Sequence, residues 1–202
     1  MAYTDFKTLF DVEDKCGVTN RLEKLFDNHL LLEPSDTLLK ALEIAQNLPI
    51  RSEKAKSELI VTPILLELRE RNDRYFTIYS GDTLNADETK GLKGECDFII
   101  AKDTASFDVN CPILQVVEAK KNDLEVGIPQ CAAQMVGAKI FNERRNKSVT
   151  TIYGCVTTGD EWMFLRLNDN MIYVDTKKYY LSDINKILGV FQYIIDFYKN
   201  SL

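Results

Sequence analysis

Charged side chains follow an apolar segment in the middle of the chain, in the sequence Val116-Val117-Glu118-Ala119-Lys120. The β-branched and apolar run Ile113 to Val117 is typical of a strand buried on both faces. Side chains two residues apart on a strand point the same way, so Glu118 and Lys120 share a face and Ala119 points to the other. Because burying a lone charge costs several kcal/mol, these charges must be paired or bind a metal.

A second apolar strand is predicted over Cys96 to Ala101, and Asp97 stands near its beginning. If the two strands are antiparallel neighbours, the spacing of about 4.8 Å between strands brings Asp97 close to Glu118. Two carboxylates that close repel each other unless a cation lies between them. The pattern therefore predicts a metal site beside Lys120. An Asp–Lys–Glu ion-pair cluster at a sheet edge is the structural alternative.

Asp97 followed by Glu118-Ala119-Lys120 resembles the signature of the PD-(D/E)xK nuclease superfamily, the restriction-endonuclease-like fold. Cys96 stands where that signature has its proline. The resemblance implies an α/β (α+β) fold, in which helices flank a mixed central sheet, and a nuclease that depends on Mg²⁺ or Mn²⁺. It implies that Asp97, Glu118 and the backbone carbonyl of Ala119 bind the metal. Lys120 would orient or help deprotonate the attacking water.

A further acid precedes the sheet, on a helix expected to begin at about Ser52. In many members of the superfamily an acid on this helix completes the metal site, and the resemblance gives that role to Glu58. An ion pair with Lys54, four residues earlier on the helix, is an equally good interpretation of Glu58. Pro63 removes a hydrogen bond from the helix interior, so we expect a bend just after Glu58.

After Lys120, Gly127-Ile128-Pro129 is a start signal for a helix that carries Gln130 and Gln134 on one face. In several branches of the superfamily a glutamine on this helix reaches back toward the site. The resemblance therefore gives Gln130 a catalytic role and Gln134 a contact to nucleic acid. The alternative is two solvent-facing glutamines on an ordinary amphipathic helix.

Three basic residues are candidates for contacts to phosphate: Lys121, next to the site, and Arg144 and Arg145, at the end of the helix. Cations at a helix C-terminus also interact favourably with the helix dipole, which is a sufficient structural reason for the two arginines. Both interpretations remain open from the sequence.

Thr157-Thr158-Gly159-Asp160 joins two predicted strands in a hairpin signal. The passage that continues through Trp162 to Phe164 is similar to a hairpin in the nuclease domains of type I restriction motor subunits and their solitary relatives. The resemblance then covers about residues 52–175. We expect Trp162 itself to pack in the core.

The flanking segments are predicted to be helical. Residues 1–50 are expected to form a helical extension, with helices after Asn20 and from Ser35, packed on a core of residues 51–202. The C-terminal helix after Ser182-Asp183 carries a broad apolar stripe, which must be buried. Its own sheet and N-terminal helices are one partner for the stripe, and a second subunit of a homodimer is the other.

Composition narrows the class of protein. A chain of 202 residues with 45% hydrophobic and 28% charged residues is expected to form one compact soluble domain. Five scattered cysteines without metal-binding spacing indicate reduced thiols and a cytoplasmic protein. The sequence contains no uncharged apolar run of about 18 residues, so we expect no membrane-spanning helix. With His29 as the only histidine, a His-based triad and a multi-histidine zinc site are excluded.

Two classes of function fit these patterns. The first is a nuclease acting on nucleic acid, with DNA favoured over RNA, in restriction, defence or repair. Because no GxxxxGK[ST] motif occurs, any motor or specificity function must come from a separate protein. The second is a catalytically silent protein of the same fold that serves as a binding or scaffold subunit, which the net charge of −6 favours.

Overall fold

The computed structural model describes residues 1–27, 30–102 and 106–202. The helices are α1 (Leu9–Cys16), α2 (Asp36–Gln46), α3 (Glu53–Lys56), α4 (Thr62–Arg71), α5 (Leu124–Arg144) and α6 (Ile184–Ser201). The strands are β1 (Thr19–Glu23), β2 (Thr77–Thr83), β3 (Glu95–Ala101), β4 (Ile113–Ala119), β5 (Thr151–Thr157), β6 (Glu161–Asn168), β7 (Met171–Asp175) and β8 (Tyr179–Tyr180). His29 lies outside the described residues.

The strands form one mixed sheet in the order β1-β7-β6-β5-β4-β3-β2, and β8 pairs with β6. This sheet, flanked by helices and followed by a C-terminal helix, confirms the α/β (α+β) fold expected from the sequence. Every residue of β4 and β5 is buried, as their apolar composition predicts. β4 pairs parallel with β5 and antiparallel with β3, so the predicted neighbours are confirmed.

Helix α5 packs closely on the central strands. A side chain at Gly154 of β5 would clash with Met135 and Cys131 of α5, so glycine at this position allows the close approach. The helix begins at Leu124, where the Asp123 side chain accepts a hydrogen bond from the backbone N–H of Glu125 at 2.8 Å. The expected start at Gly127 to Pro129 is therefore wrong. An Asp N-cap outweighs the proline signal, and the helix accommodates Pro129 in its second turn.

Strand β1 corrects the expectation of a purely helical N-terminal extension. Residues Thr19–Glu23 pair in parallel with β7 and form one edge of the sheet. The expected helix after Asn20 relied on apolar residues at helical spacing, but one of them, Leu22, is 73% exposed. That spacing therefore did not mark a buried stripe. Residues 1–50 supply a strand of the same sheet that residues 51–202 build.

The predicted helices from Ser35 and after Asp183 are confirmed. The Ser35 hydroxyl caps α2 by accepting a hydrogen bond from the N–H of Leu38 at 3.2 Å. The apolar stripe of α6 is buried within the chain, and the hydroxyl of Tyr198 donates to the carbonyls of Leu114 and Thr151 on the sheet. The intramolecular partner is thus the one observed. No helix in the described ranges has the length and apolar character that crossing a bilayer requires.

Pro63 is accommodated by a wider turn. Residues Ser57–Val61 form a π-helical turn between α3 and α4, and the N–H of Thr62 bonds to the carbonyl of Ser57, five residues earlier. The wider turn accommodates proline, which has no backbone N–H to donate to the helical hydrogen bonds. The wider turn lies where a bend was expected, just around Glu58.

Candidate active site

Asp97 and Glu118 lie side by side where β3 begins and β4 ends. Phe98 pairs with Val117, so the next register step places Asp97 opposite Glu118. The Asp97 carboxylate also accepts a hydrogen bond from the backbone N–H of Ala119, with Oδ2 to N at 2.7 Å. Because the N–H and C=O of a strand residue point to the same side, the carbonyl of Ala119 is on the β3 side of β4 too.

The shared face predicted for Glu118 and Lys120 is confirmed by a direct contact. The Lys120 Nζ donates to Glu118 Oε1 at 2.5 Å and to Gln130 Oε1 at 3.0 Å. Gln134 donates from Nε2 to the other oxygen of Glu118, at 2.7 Å. The carboxylate is 2% exposed, so burial and two hydrogen bonds fix its position.

Both glutamines face the site, so the interpretation of them as solvent-facing residues is wrong. Gln130 holds the Lys120 ammonium and is buried at the edge of the site. Gln134 is 0% exposed, which places it behind Glu118 and out of reach of nucleic acid. Its full burial disagrees with the contact to nucleic acid that the resemblance implied, and its contact is with Glu118 instead. Its Oε1 has no hydrogen-bond partner among the residues that the structure describes.

The structure does not bring Glu58 to the site. Its side chain is 60% exposed and pairs with Lys54 at 3.8 Å, the alternative left open by the sequence. Glu53, the first residue of α3, lies there instead. Its Oε1 accepts a hydrogen bond from the backbone N–H of Lys121 at 3.0 Å. Sequence reasoning missed Glu53, although its place directly after the Ser52 cap fixes it at the helix N-terminus.

The basic candidates separate into two groups. Lys121 is at the site, and its backbone carbonyl accepts a hydrogen bond from Lys56 Nζ at 2.6 Å. Arg144 and Arg145 lie at the other end of α5, about 15 Å along the helix from Gln134. Arg144 donates to the carbonyl of Ala86, and the Arg145 guanidinium lies over the ring of Phe141 at 3.5 Å. The structure therefore does not bring the two arginines to the site.

The site carries an excess of negative charge. Burial raises the pKa of Glu118 to about 7, and the neighbouring charge of Asp97 adds to that effect. Burial also raises the pKa of Asp97, while the Ala119 N–H and the Lys120 charge act against it. Burial opposes the charged form of Lys120, but Glu118 and Asp97 outweigh it, so the pKa of Lys120 is raised. With Glu53, three carboxylates act on the Lys120 ammonium group.

These groups fit a hard divalent cation. Across residues 1–27, 30–102 and 106–202, no three His, Cys, Asp or Glu side chains are already gathered around a common metal position. The donors available at the site are carboxylate and carbonyl oxygens, which Mg²⁺ prefers. Two adjacent acids, one almost fully buried, are poorly compensated by one lysine, and a divalent cation would relieve their repulsion. In this structure the Lys120 ammonium is the cation that contacts Glu118.

Comparison with protein-family models finds no match, and comparison with curated proteins finds none either.

Proposed function

We propose that this protein is a metal-dependent nuclease that hydrolyses phosphodiester bonds, with DNA as its substrate and Mg²⁺ or Mn²⁺ as its cofactor. The observation that supports the proposal is the convergence of Asp97, Glu118, Lys120 and Gln130 at one end of two neighbouring strands. An ion-pair cluster that only stabilises the sheet would have no need of two adjacent carboxylates whose pKa values are both raised.

Asp97, Glu118 and the Ala119 carbonyl would hold the metal, and Glu53 would add an oxygen directly or through water. When bound, the metal supplies Lewis-acid polarisation of the scissile phosphate and a more acidic water. Gln134 keeps one oxygen of Glu118 in place, which orients the carboxylate for that role.

Lys120 acts on the phosphate and the attacking water. Its raised pKa keeps the side chain protonated at neutral pH, so it donates hydrogen bonds. An ammonium group at this position orients the water and stabilises the negative charge that develops on the phosphate oxygens during attack. Gln130 restrains Nζ and so holds the donor close to the carboxylates.

The proposal extends to a setting in restriction, defence or repair in the cytoplasm, where the five cysteines stay reduced. All five are free thiols in the structure. A separate motor or specificity protein would supply translocation or sequence choice, because the chain has no P-loop motif.

The direct test is cleavage of circular single- and double-stranded DNA with Mg²⁺ or Mn²⁺ by the wild type and by Lys120→Ala. We expect metal-dependent nicking that the substitution abolishes. Lys139→Ala is the matched control, since Lys139 pairs with Glu143 and bonds to the Asp169 carbonyl, away from the site. No cleavage by the wild type, together with no Mn²⁺ binding in calorimetry, would reject catalysis. A catalytically silent scaffold subunit would then be the better proposal.

A further inference from the structure

A cleft of about 300 Å³ is lined in part by Lys56, which contacts the backbone of Lys121 at the candidate active site. Its walls come from α2, the π turn and the tip of the β5–β6 hairpin, and the apolar part includes Leu42, Leu48, Ile60 and Leu181. Gln46 and Asp160 add polar groups. The volume is at the lower end of the range of about 300–1,000 Å³ typical of small-ligand pockets, so the cleft has room for one planar ring system and none for a duplex.

Lys56 connects the cleft with the active site. Its side chain lines the cleft, and its Nζ donates to the carbonyl of Lys121, the residue after Lys120. The backbone N–H of Lys121 in turn binds Glu53. A phosphate held near Lys120 and Lys121 would therefore leave its flanking nucleotide beside the cleft, with a cation between them.

The wall of the cleft continues into an exposed aromatic residue. Leu181 is fixed to the hairpin tip by a hydrogen bond from its N–H to the Asp160 carbonyl, at 2.8 Å. The preceding residue, Tyr180, is 46% exposed. Beyond it, a second depression of about 490 Å³ is lined by Lys177, Lys178 and Lys186 together with Asp27 and Asp183. An exposed ring beside lysines suits an unpaired strand, because a base can stack on a ring without sequence preference. Two of these lysines also pair with acids, Lys178 with Glu161 and Lys186 with Asp183.

We propose that this cleft binds a nucleobase adjacent to the scissile phosphate, so that the substrate is an unpaired strand or a nucleotide flipped out of a duplex. The inference rests on the proposed nuclease function and specifies its substrate. Aliphatic walls contact the two faces of a base, and Gln46 and Asp160 offer hydrogen bonds to its edge. A paired base cannot enter, because its edge and faces are covered by its partner and neighbours.

The test is an abasic scan of a single-stranded oligonucleotide. The wild type is assayed with an abasic nucleotide placed in turn at each position around the cut. We expect one position next to the cut at which loss of the base raises KM about tenfold or more, which is the range of a single stacked base. kcat should change little, because the metal donors and Lys120 are untouched.

Leu48→Trp fills the cleft from its exposed wall. It should raise KM for the intact strand by a similar factor. In this variant, removing the base next to the cut should then leave KM unchanged, because both changes remove the same contact. Ile44→Trp is the matched control: Ile44 lies on α2, shortly before Leu48 in the chain, is more than half exposed and does not line the cleft.

Cleavage with equal KM at every abasic position would overturn the cleft proposal while leaving the nuclease proposal intact. Failure of the wild type to cleave either substrate with Mg²⁺ or Mn²⁺ would reject the nuclease proposal. Binding of the same oligonucleotides, measured in EDTA by fluorescence anisotropy, would then decide the cleft separately. Insensitivity of binding to the abasic position would overturn it, and sensitivity that Leu48→Trp removes would support it.

Discussion

Glu118 is expected to destabilise the metal-free protein at alkaline pH, and replacing it with glutamine should relieve that cost. A carboxyl whose pKa is raised on folding makes stability fall as pH rises through the interval between its unfolded and folded values. For Glu118 that interval runs from 4.5 to about 7. At 1.36 kcal/mol per pKa unit the full effect is about 3 kcal/mol, reached above pH 7.

Glutamine is a close mimic of the protonated acid at this position. The raised pKa of Glu118 already includes the opposing effects of Lys120 and Gln134. The cost of ionising Glu118 in the folded protein should therefore appear in full as lost free energy of unfolding. The unpaired Oε1 of Gln134 also allows its amide to turn and accept a hydrogen bond from the new side chain. Glu118→Gln should therefore match the wild type at pH 4.5 and exceed it by about 3 kcal/mol at pH 8.

The assay is urea denaturation in EDTA, followed by the fluorescence of Trp162, the only tryptophan, which is fully buried. With a slope of about 3 kcal/mol per molar for a chain of this size, the midpoints at pH 8 should differ by about 1 M. Mg²⁺ at a hundred times its dissociation constant should raise the stability of the wild type by about 2.7 kcal/mol and that of the variant by less. Coincident midpoints at pH 8 without metal would refute the reasoning that a cation is needed here.

Three further outcomes follow from the same geometry. Glu53→Gln should weaken Mn²⁺ binding about 10- to 100-fold in calorimetry, because it removes an oxygen that binds the metal directly or through water. Glu58→Gln is the exposed control and should leave the affinity for Mn²⁺ unchanged. Gln134→Leu should lower kcat with little change in KM, because it frees one oxygen of Glu118 without touching substrate; an equal rise in KM would contradict a positioning role. Gly159→Ala should destabilise the fold by about 1 kcal/mol in urea, because the residue has φ of +85°. An unchanged midpoint would count against strain at this turn.

The sequence was sufficient for the centre of the site because its signals there are long and mutually consistent. Two apolar runs predicted buried strands, and the charges that interrupt them marked the end at which they meet. Antiparallel pairing then fixed Asp97 beside Glu118 without any knowledge of the other strands. Helical spacing put Gln130 and Gln134 on one face, and the family resemblance directed that face toward the site, although the start of the helix was placed too late.

The rest depended on contacts between distant segments. β1 is a short edge strand whose residues are mostly polar or exposed, and only pairing with β7, about 150 residues later, makes it a strand. Glu53 was not a candidate from the sequence, because its place at the site depends on where the chain turns into the helix, which hydrophobic spacing does not reveal. A buried strand can be predicted from its own residues, whereas the position of a helix packed against it depends on residues elsewhere in the chain.

The pairing of β1 with β7 also bears on how the protein can be divided. A fragment that begins at residue 51 would leave the backbone of β7 uncovered along one side, since its other side pairs with β6. Bare strand edges pair with copies of themselves, and such fragments tend to aggregate. The first fifty residues thus cover the edge of the sheet that β7 would otherwise expose. Truncation to residues 51–202 should yield insoluble protein even though every candidate site residue is retained.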